Sequence, residues 1–137
     1  MPWLHIRVSK NETPMTRWYW KQVGGTLCEE FQAVPRTPNA AQRLLDAVIL
    51  PDGPHEQVHW REISLEGQNV IVVQAKAHRL GMYLMGQALF SAQLVRRFHP
   101  KSVRSVALCA QDDDVLRPLL ERYKGLEVIV VPPEVVS

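Results

Sequence analysis

The chain has 137 residues, and its 16 lysines and arginines against 14 aspartates and glutamates give a formal net charge of +2 at pH 7. This length suits a single domain over residues 1–137, and such a small charge neither requires nor excludes a nucleic-acid partner. No apolar run is long enough for a signal peptide or a membrane span, so we expect a soluble, cytoplasmic protein. Cys28 and Cys109 lie in separate apolar segments, which favours buried thiols over a disulfide or a metal site.

The first third of the chain is predicted to be mainly helical. Residues 1–14 hold a short apolar alternation and are expected to form a loose or edge segment. From about Met15 to Val34 apolar residues recur every three or four positions, which predicts an amphipathic helix that Pro35 ends. The Gly24-Gly25 pair weakens its middle by about 1 kcal/mol per glycine relative to alanine.

Charged and aromatic residues of this predicted helix allow more than one interpretation. Glu30 falls on the apolar stripe, whereas Glu29 falls beside it toward solvent. An inward acid needs a partner, so Glu30 is either paired with a cation at the edge of the core or belongs to a site. The Trp18-Tyr19-Trp20 run is typical of core aromatics, with a base-stacking platform as the alternative.

Three strands are predicted next, and polar residues interrupt two of them. Residues 43–50 read as a strand with Asp46 in its middle, where an aspartate must be hydrogen-bonded or bound to a cation. Residues 59–64 alternate polar with apolar, as an exposed strand would. The run Val70–Val73 predicts a strand buried on both faces, and the period of two then places Gln74 and Lys76 on one face at its end.

The second half of the chain alternates helices and strands. Helices are predicted over residues 80–98 and 112–124, and strands over 102–110 and 126–131. Strand-helix-strand alternation implies parallel pairing here, joined to an antiparallel meander in the first half. The predicted fold class is therefore α/β, with a mixed central sheet flanked by helices.

The acid Asp46 within a strand, the Gln74-Ala75-Lys76 run at the end of a later strand and the inward Glu30 together resemble the PD-(D/E)XK nuclease superfamily. That family places an acid on one strand and a (D/E/Q)-x-K motif on the next, after a helix that often carries a further glutamate. The resemblance covers residues 24–110 and implies a restriction-endonuclease-like α-β-β-β-α-β core. The Gln-x-Lys form is similar to that of type IV, modification-dependent restriction nucleases. The sequence departs from the family in having Leu45, not proline, before Asp46, and a neutral amide at position 74.

The resemblance implies a metal-dependent deoxyribonuclease. In that interpretation Asp46, the amide oxygen of Gln74, the backbone carbonyl of Ala75 and Glu30 hold Mg²⁺ or Mn²⁺, which prefer oxygen ligands. Lys76 would orient the attacking water or stabilise the charge that develops on the phosphate.

The sequence also bears on partners and on alternatives. A homodimer or a partner protein is expected to supply selectivity, and DNA is the expected substrate. One alternative is a catalytically weak, nuclease-fold DNA-binding subunit of a larger complex. A third is a small α/β protein without a nucleic-acid role, in which Asp46 and Lys76 form a cross-strand ion pair. Basic residues that could track DNA phosphates, or simply lie in solvent, are Arg79, Arg96, Arg97, Lys101 and Arg104.

Overall fold

The computed structural model describes residues 12–136, which form a mixed six-stranded sheet with helices on both faces. The strand order is β3-β1-β2-β4-β5-β6. The pairs β1–β2 and β2–β4 are antiparallel, whereas β4–β5 and β5–β6 are parallel, so the predicted α/β class and its division into two halves are confirmed. The elements are α1 (Glu12–Val23), β1 (Thr26–Val34), β2 (Arg43–Leu50), β3 (Glu56–Gln57), a 3₁₀ turn (Trp60–Glu62), β4 (Asn69–Arg79), α2 (Met82–Arg96), β5 (Ser102–Gln111), α3 (Leu116–Glu121), β6 (Leu126–Val130) and α4 (Pro133–Val136).

Strand β4 lies at the centre of the sheet, between β2 and β5. Its run Val70–Val73 is buried, and successive residues face opposite sides. Ile71 and Val73 pack with α1 and α4, whereas Val70 and Val72 pack toward α2. The β-branched run is therefore covered on both faces, as the sequence predicts.

The first helix is much shorter than predicted. The helix expected over residues 15–34 is wrong, because α1 ends at Val23 and the remainder is strand β1. Gly24 and Gly25 have φ of 73° and 81°, a left-handed conformation that suits glycine and stops a helix. A Cβ at Gly25 would also collide with the Leu50 carbonyl oxygen.

Other predicted boundaries need smaller corrections. The strand expected over residues 59–64 is wrong, since a 3₁₀ turn lies there, and the nearest strand is the two-residue β3 at Glu56–Gln57, which pairs with β1. The helix expected over 112–124 is limited to α3. Of the loose segment expected over 1–14, residues 1–11 lie outside the described part of the chain and the rest begins α1. The helix that precedes β1 therefore starts at Glu12, whereas the core was predicted to begin at residue 24.

Predictions about the core are confirmed. Cys28 and Cys109 are buried free thiols, and burial raises the pKa of Cys28 to about 12. Tyr19 is 3% exposed, and Trp18 and Trp20 pack against the same cluster, so these aromatics belong to the core and not to a base-stacking platform. Within residues 12–136, no helix combines the length and apolarity that crossing a membrane requires.

Candidate functional site

The sheet opens between β2 and β4 at Asp46. The antiparallel pairing of these strands ends at Ala47 and Val73, so Asp46 and the rest of β4 beyond Val73 are not paired with each other. Strand β4 continues to Arg79, held on its other side by β5. The backbone groups of β4 that would have bonded β2 are therefore left without a strand partner on this side, and we call this open edge of β4, together with Asp46, the cleft.

The regular alternation of side chains also breaks at this level. Leu45 and Val48 pack in the same cluster on the α2 face, although an odd spacing should place them on opposite faces. In the paired strand β1, Glu30 lies between the paired residues Glu29 and Phe31 and has φ of 53°. A left-handed glutamate costs roughly 1 kcal/mol, and such local irregularities in a sheet turn side chains away from their regular direction.

Two carboxylates occupy the edge that β2 leaves open. Asp46 Oδ2 accepts a hydrogen bond from the Ala75 backbone N–H at 2.9 Å. Two residues further along β4, Glu12 Oε2 accepts from the Ala77 N–H at 3.4 Å. Because a strand residue directs its N–H and C=O to the same side, the Ala75 carbonyl also points toward this cleft. The cleft thus combines carboxylate and carbonyl oxygens at one edge of the sheet.

Gln74 links this edge to α2. Its side chain is 3% exposed, and its Nε2 donates to Ser91 Oγ at 2.8 Å. Its Oε1 accepts from the Asp46 backbone N–H at 3.4 Å. The amide oxygen expected to bind a metal is therefore engaged with Asp46, and Gln74 serves here to hold Asp46 and α2 together.

Lys76 lies on the same face as Gln74, as the strand period predicts. It is half-buried, and its Nζ lies 5.4 Å from the centroid of the Tyr83 ring at the start of α2. Asp46 and Lys76 do not form the cross-strand ion pair of the third interpretation, because none within 4 Å joins these described residues. The ammonium is thus close to the cleft without being neutralised by direct contact with Asp46.

The electrostatics of the cleft are unfavourable for the Asp46 carboxylate. Asp46 keeps access to solvent, yet protein surrounds much of its carboxyl group, and this burial is the main reason why its pKa is raised. The negative charges of Glu12 and Glu30 raise the pKa further, while the Ala75 N–H and Lys76 partly offset the effect. A cation bound in the cleft would relieve this repulsion.

The neighbouring acid Glu29 has a different role. Both of its carboxylate oxygens accept from Arg17 of α1 at 3.0 Å. It therefore joins β1 to α1 at the surface, and Glu30 is the residue of the pair that acts on Asp46. The prediction that Glu30 points inward from a helix and Glu29 toward solvent is wrong, because both residues lie on strand β1, where Glu30 is exposed and Glu29 is partly buried.

The oxygen atoms at the cleft provide only part of the set of ligands that a hard divalent cation needs. Among residues 12–136, no three His, Cys, Asp or Glu side chains are arranged as a metal-binding group. The oxygens that face the cleft are those of Asp46, Ala75 and Glu12, with Glu30 near enough to influence Asp46. Carboxylate and backbone oxygens are suitable ligands for Mg²⁺ or Mn²⁺, which usually retain several waters.

The basic residues do not form one patch. Arg79 lies at the end of β4 nearest the cleft and donates to the Asp112 carbonyl. Arg96 and Arg97 lie at the far end of the 15-residue helix α2, about 20 Å away at the usual rise per residue. Arg97 donates to the Ala33 carbonyl, and exposed Lys101 precedes β5 at the same far end. Arg104 is paired with Glu127 at 3.0 Å. Their DNA-binding role stays a prediction.

Two residues near the cleft were not selected from the sequence. Glu12 fell in the segment expected to be loose, although an acid followed closely by Pro14 is typical of a helix start. Tyr83 lies among apolar residues of α2 and has no distinctive sequence pattern, so that its place beside the cleft is known only from its contact with Lys76. Glu12 was therefore accessible to sequence reasoning, whereas Tyr83 required the structure.

No family model and no curated protein matches the sequence. Among solved structures, a repair endonuclease from Pyrococcus abyssi is similar in fold, with a TM-score of 0.57 and 14% sequence identity. The match covers 88% of this chain and 46% of that chain, so the present chain spans about half the length of that protein. This likeness shows that the two proteins share a fold.

Proposed function

We propose that this chain is a metal-dependent nuclease that hydrolyses phosphodiester bonds in DNA. The main observation in support is the cleft at the open edge of β4. There the Asp46 carboxylate accepts a hydrogen bond from the Ala75 N–H, and Lys76 lies close by. The fold shared with a repair endonuclease supports the same interpretation. We further propose that the chain is a PD-(D/E)XK nuclease of the Gln-x-Lys form.

Each residue of the cleft has a role that its position allows. When bound, Mg²⁺ or Mn²⁺ would neutralise the phosphate and lower the pKa of an attacking water. Asp46, the Ala75 carbonyl and Glu30 are the proposed ligands, and Glu12 adds a further carboxylate nearby. Lys76 donates to the water or to a phosphate oxygen and stabilises the extra negative charge in the transition state. Gln74 positions Asp46 through its amide oxygen.

A second candidate is a DNA-binding subunit that keeps the fold with weak or no catalysis. It is favoured by the neutral, internally bonded Gln74 at a position where the family often has an acid. It is also favoured by the lack of a three-residue metal-binding group among residues 12–136. In this case a partner protein, or a second copy of the chain, would supply the catalytic groups that the cleft lacks.

A plasmid-nicking assay with Mg²⁺ or Mn²⁺ tests the proposal. We expect nicking that EDTA stops, and that Lys76→Ala lowers about 100-fold, a usual loss for a group that stabilises transition-state charge. Asp46→Asn should lower it at least as much. Lys124→Ala, at an exposed lysine beyond α3, is the matched control and should leave the rate unchanged.

The outcomes separate the candidates. Metal binding and DNA binding without nicking would select the second candidate. If the wild-type protein binds neither metal nor DNA, the third interpretation remains, which is a small α/β protein without a nucleic-acid role.

A further inference from the structure

A groove of about 960 Å³ runs along α2 next to the cleft. One wall is a face of α2, and the other is the connection from β1 into β2. Gln74 lines its floor, so the groove reaches the residue that holds Asp46. We call this feature the α2 groove and define it by Gln74, Met82, Tyr83, Gly86, Gln87 and Phe90.

The α2 face of this groove is unusually apolar for a surface. Met82, Tyr83 and Phe90 are 75%, 70% and 65% exposed. Large apolar side chains grouped on an exposed face usually mark a binding site. Tyr83 also lies over the Lys76 ammonium, so the groove begins where the proposed reaction takes place.

Gly86 leaves a gap between the two aromatic residues. It lies three residues after Tyr83 and four before Phe90, on the same side of the helix. A glycine inside a helix costs about 1 kcal/mol relative to alanine. Packing does not require it, because a Cβ at Gly86 would meet nothing within 4 Å. The gap is therefore open space on the groove face.

The polar lining of the groove suits a polyanion with hydrogen-bonding groups. The described residues that line it include the exposed cation Arg43 and no aspartate or glutamate. Amide side chains, which can bond the edges of nucleobases, are present at Asn39, Gln42 and Gln87. An arginine, amides and exposed aromatic rings are the groups that bind single-stranded nucleic acid.

We propose that the α2 groove binds an unpaired stretch of nucleic acid, with one nucleobase stacked on Tyr83 and the next in the gap at Gly86, against Phe90. This proposal rests on the proposed nuclease function, because it places unpaired nucleotides next to the phosphate that reacts. Base stacking on an aromatic residue is independent of sequence, since every base has a flat face. Tyr83 thereby becomes a residue that selects the strand state of the substrate.

Fluorescence anisotropy in EDTA measures this binding without metal or cleavage. The probes are a fluorescein-labelled 12-nucleotide thymidylate strand, its duplex with adenylate, and an abasic strand of equal length. We expect the single strand to bind at least tenfold more tightly than the duplex and the abasic strand. Tyr83→Ala and Phe90→Ala should each weaken single-strand binding about tenfold, and Tyr83→Phe should preserve it. Tyr123→Ala, at a 55% exposed tyrosine outside this groove, is the matched control.

Gly86→Ala gives a second signature that a folding defect cannot imitate. The substitution should raise the melting temperature by about 3 °C, because it removes a helix-interior glycine. It should also weaken single-strand binding, because the new methyl group fills the gap. Gln93→Ala, at an exposed position of α2 outside the groove, should leave binding unchanged.

Four results would each overturn the proposal. They are equal affinity for single strand and duplex, equal affinity for the single strand and the abasic strand, binding of no oligonucleotide at all, and wild-type affinity in Tyr83→Ala. The proposed function fails differently: the wild type would then cleave neither plasmid nor single-stranded DNA in the presence of Mg²⁺ or Mn²⁺, while tight single-strand binding and its loss in Tyr83→Ala would persist.

Discussion

The hydrogen bond between Gln74 and Ser91 should be a main support of the cleft, and a double-mutant cycle can measure it. Both side chains are buried, at 3% and 4% exposure, and the bond is 2.8 Å long. A buried hydrogen bond contributes about 1 kcal/mol net, and a partner left unsatisfied costs a further 1 kcal/mol or more. Gln74→Met should therefore lower the free energy of unfolding by about 2 kcal/mol, and Ser91→Ala by about 1.5 kcal/mol.

The double variant should cost less than the sum of the single changes. Once both polar partners are gone, neither side of this bond is left unsatisfied, and the acceptor lost by the Asp46 N–H is lost equally in Gln74→Met and in the double variant, so the coupling should be about 1 kcal/mol. Urea denaturation at constant slope gives these values. The surface pair Gln42–Gln32, with a 2.8 Å bond between exposed amides, is the control, and Gln42→Met should change stability by less than about 0.5 kcal/mol. Additivity of the Gln74 and Ser91 effects within about 0.5 kcal/mol would refute the reasoning.

Three further predictions concern the cleft and the helix end before it. Isothermal titration with Mn²⁺ should show higher affinity in Gln74→Glu, which adds a charge with little change of shape, and lower affinity in Asp46→Asn; equal affinities in all three proteins would mean that this pair is structural. Burial, and then the charges of Glu12 and Glu30, raise the pKa of Asp46 in the folded protein above its ordinary value of 3.8. Ionisation of Asp46 therefore lowers the stability of the folded protein in full once the pH exceeds this raised pKa, whereas below pH 3.8 there is no such loss. Metal-free Asp46→Asn should then be more stable than wild type at pH 7 in urea titrations, with a gap that closes as the pH falls toward 3.8; a constant gap would contradict this. Gly25→Ala should lose more than about 2 kcal/mol by thermal unfolding, since φ is 81° and the new methyl group meets the sheet backbone, and a near-neutral effect would refute that role.

The sequence predicts the centre of the fold well, because the central elements carry strong local signals. Val70–Val73 can pack only where both faces are covered, and the helical spacing of α2 extends over 15 residues. The Gln74 and Lys76 positions follow from the strand period alone. Strong local patterns therefore located the strand and the face on which Gln74 and Lys76 lie, but not the end of the strand, which is at Arg79.

The first helix was mispredicted because its pattern has two explanations. Apolar residues from Trp20 to Val34 fit a helical period, yet Leu27 and Cys28 also fit a strand with alternating faces. Gly24-Gly25 decides between them, since consecutive left-handed glycines end a helix. Had these glycines been treated as a stop signal, the strand position of Glu30 would have followed.

The irregularity of the sheet at Asp46 could not be predicted from the sequence. It depends on the left-handed Glu30 in the neighbouring strand and on the departure of β2 from β4. Both are long-range effects, which no local pattern specifies. Sequence reasoning could thus identify Asp46 as unusual, while its direction and partners required the three-dimensional structure.

The carboxylates at the open edge of β4 also protect the protein from association. An unpaired strand edge attracts strands of other chains, which leads to aggregation. Asp46 and Glu12 occupy the N–H groups of Ala75 and Ala77 that such a strand would use, and they add charge there. The carboxylates of Asp46 and Glu12 therefore oppose strand-to-strand association at this edge independently of the proposed reaction.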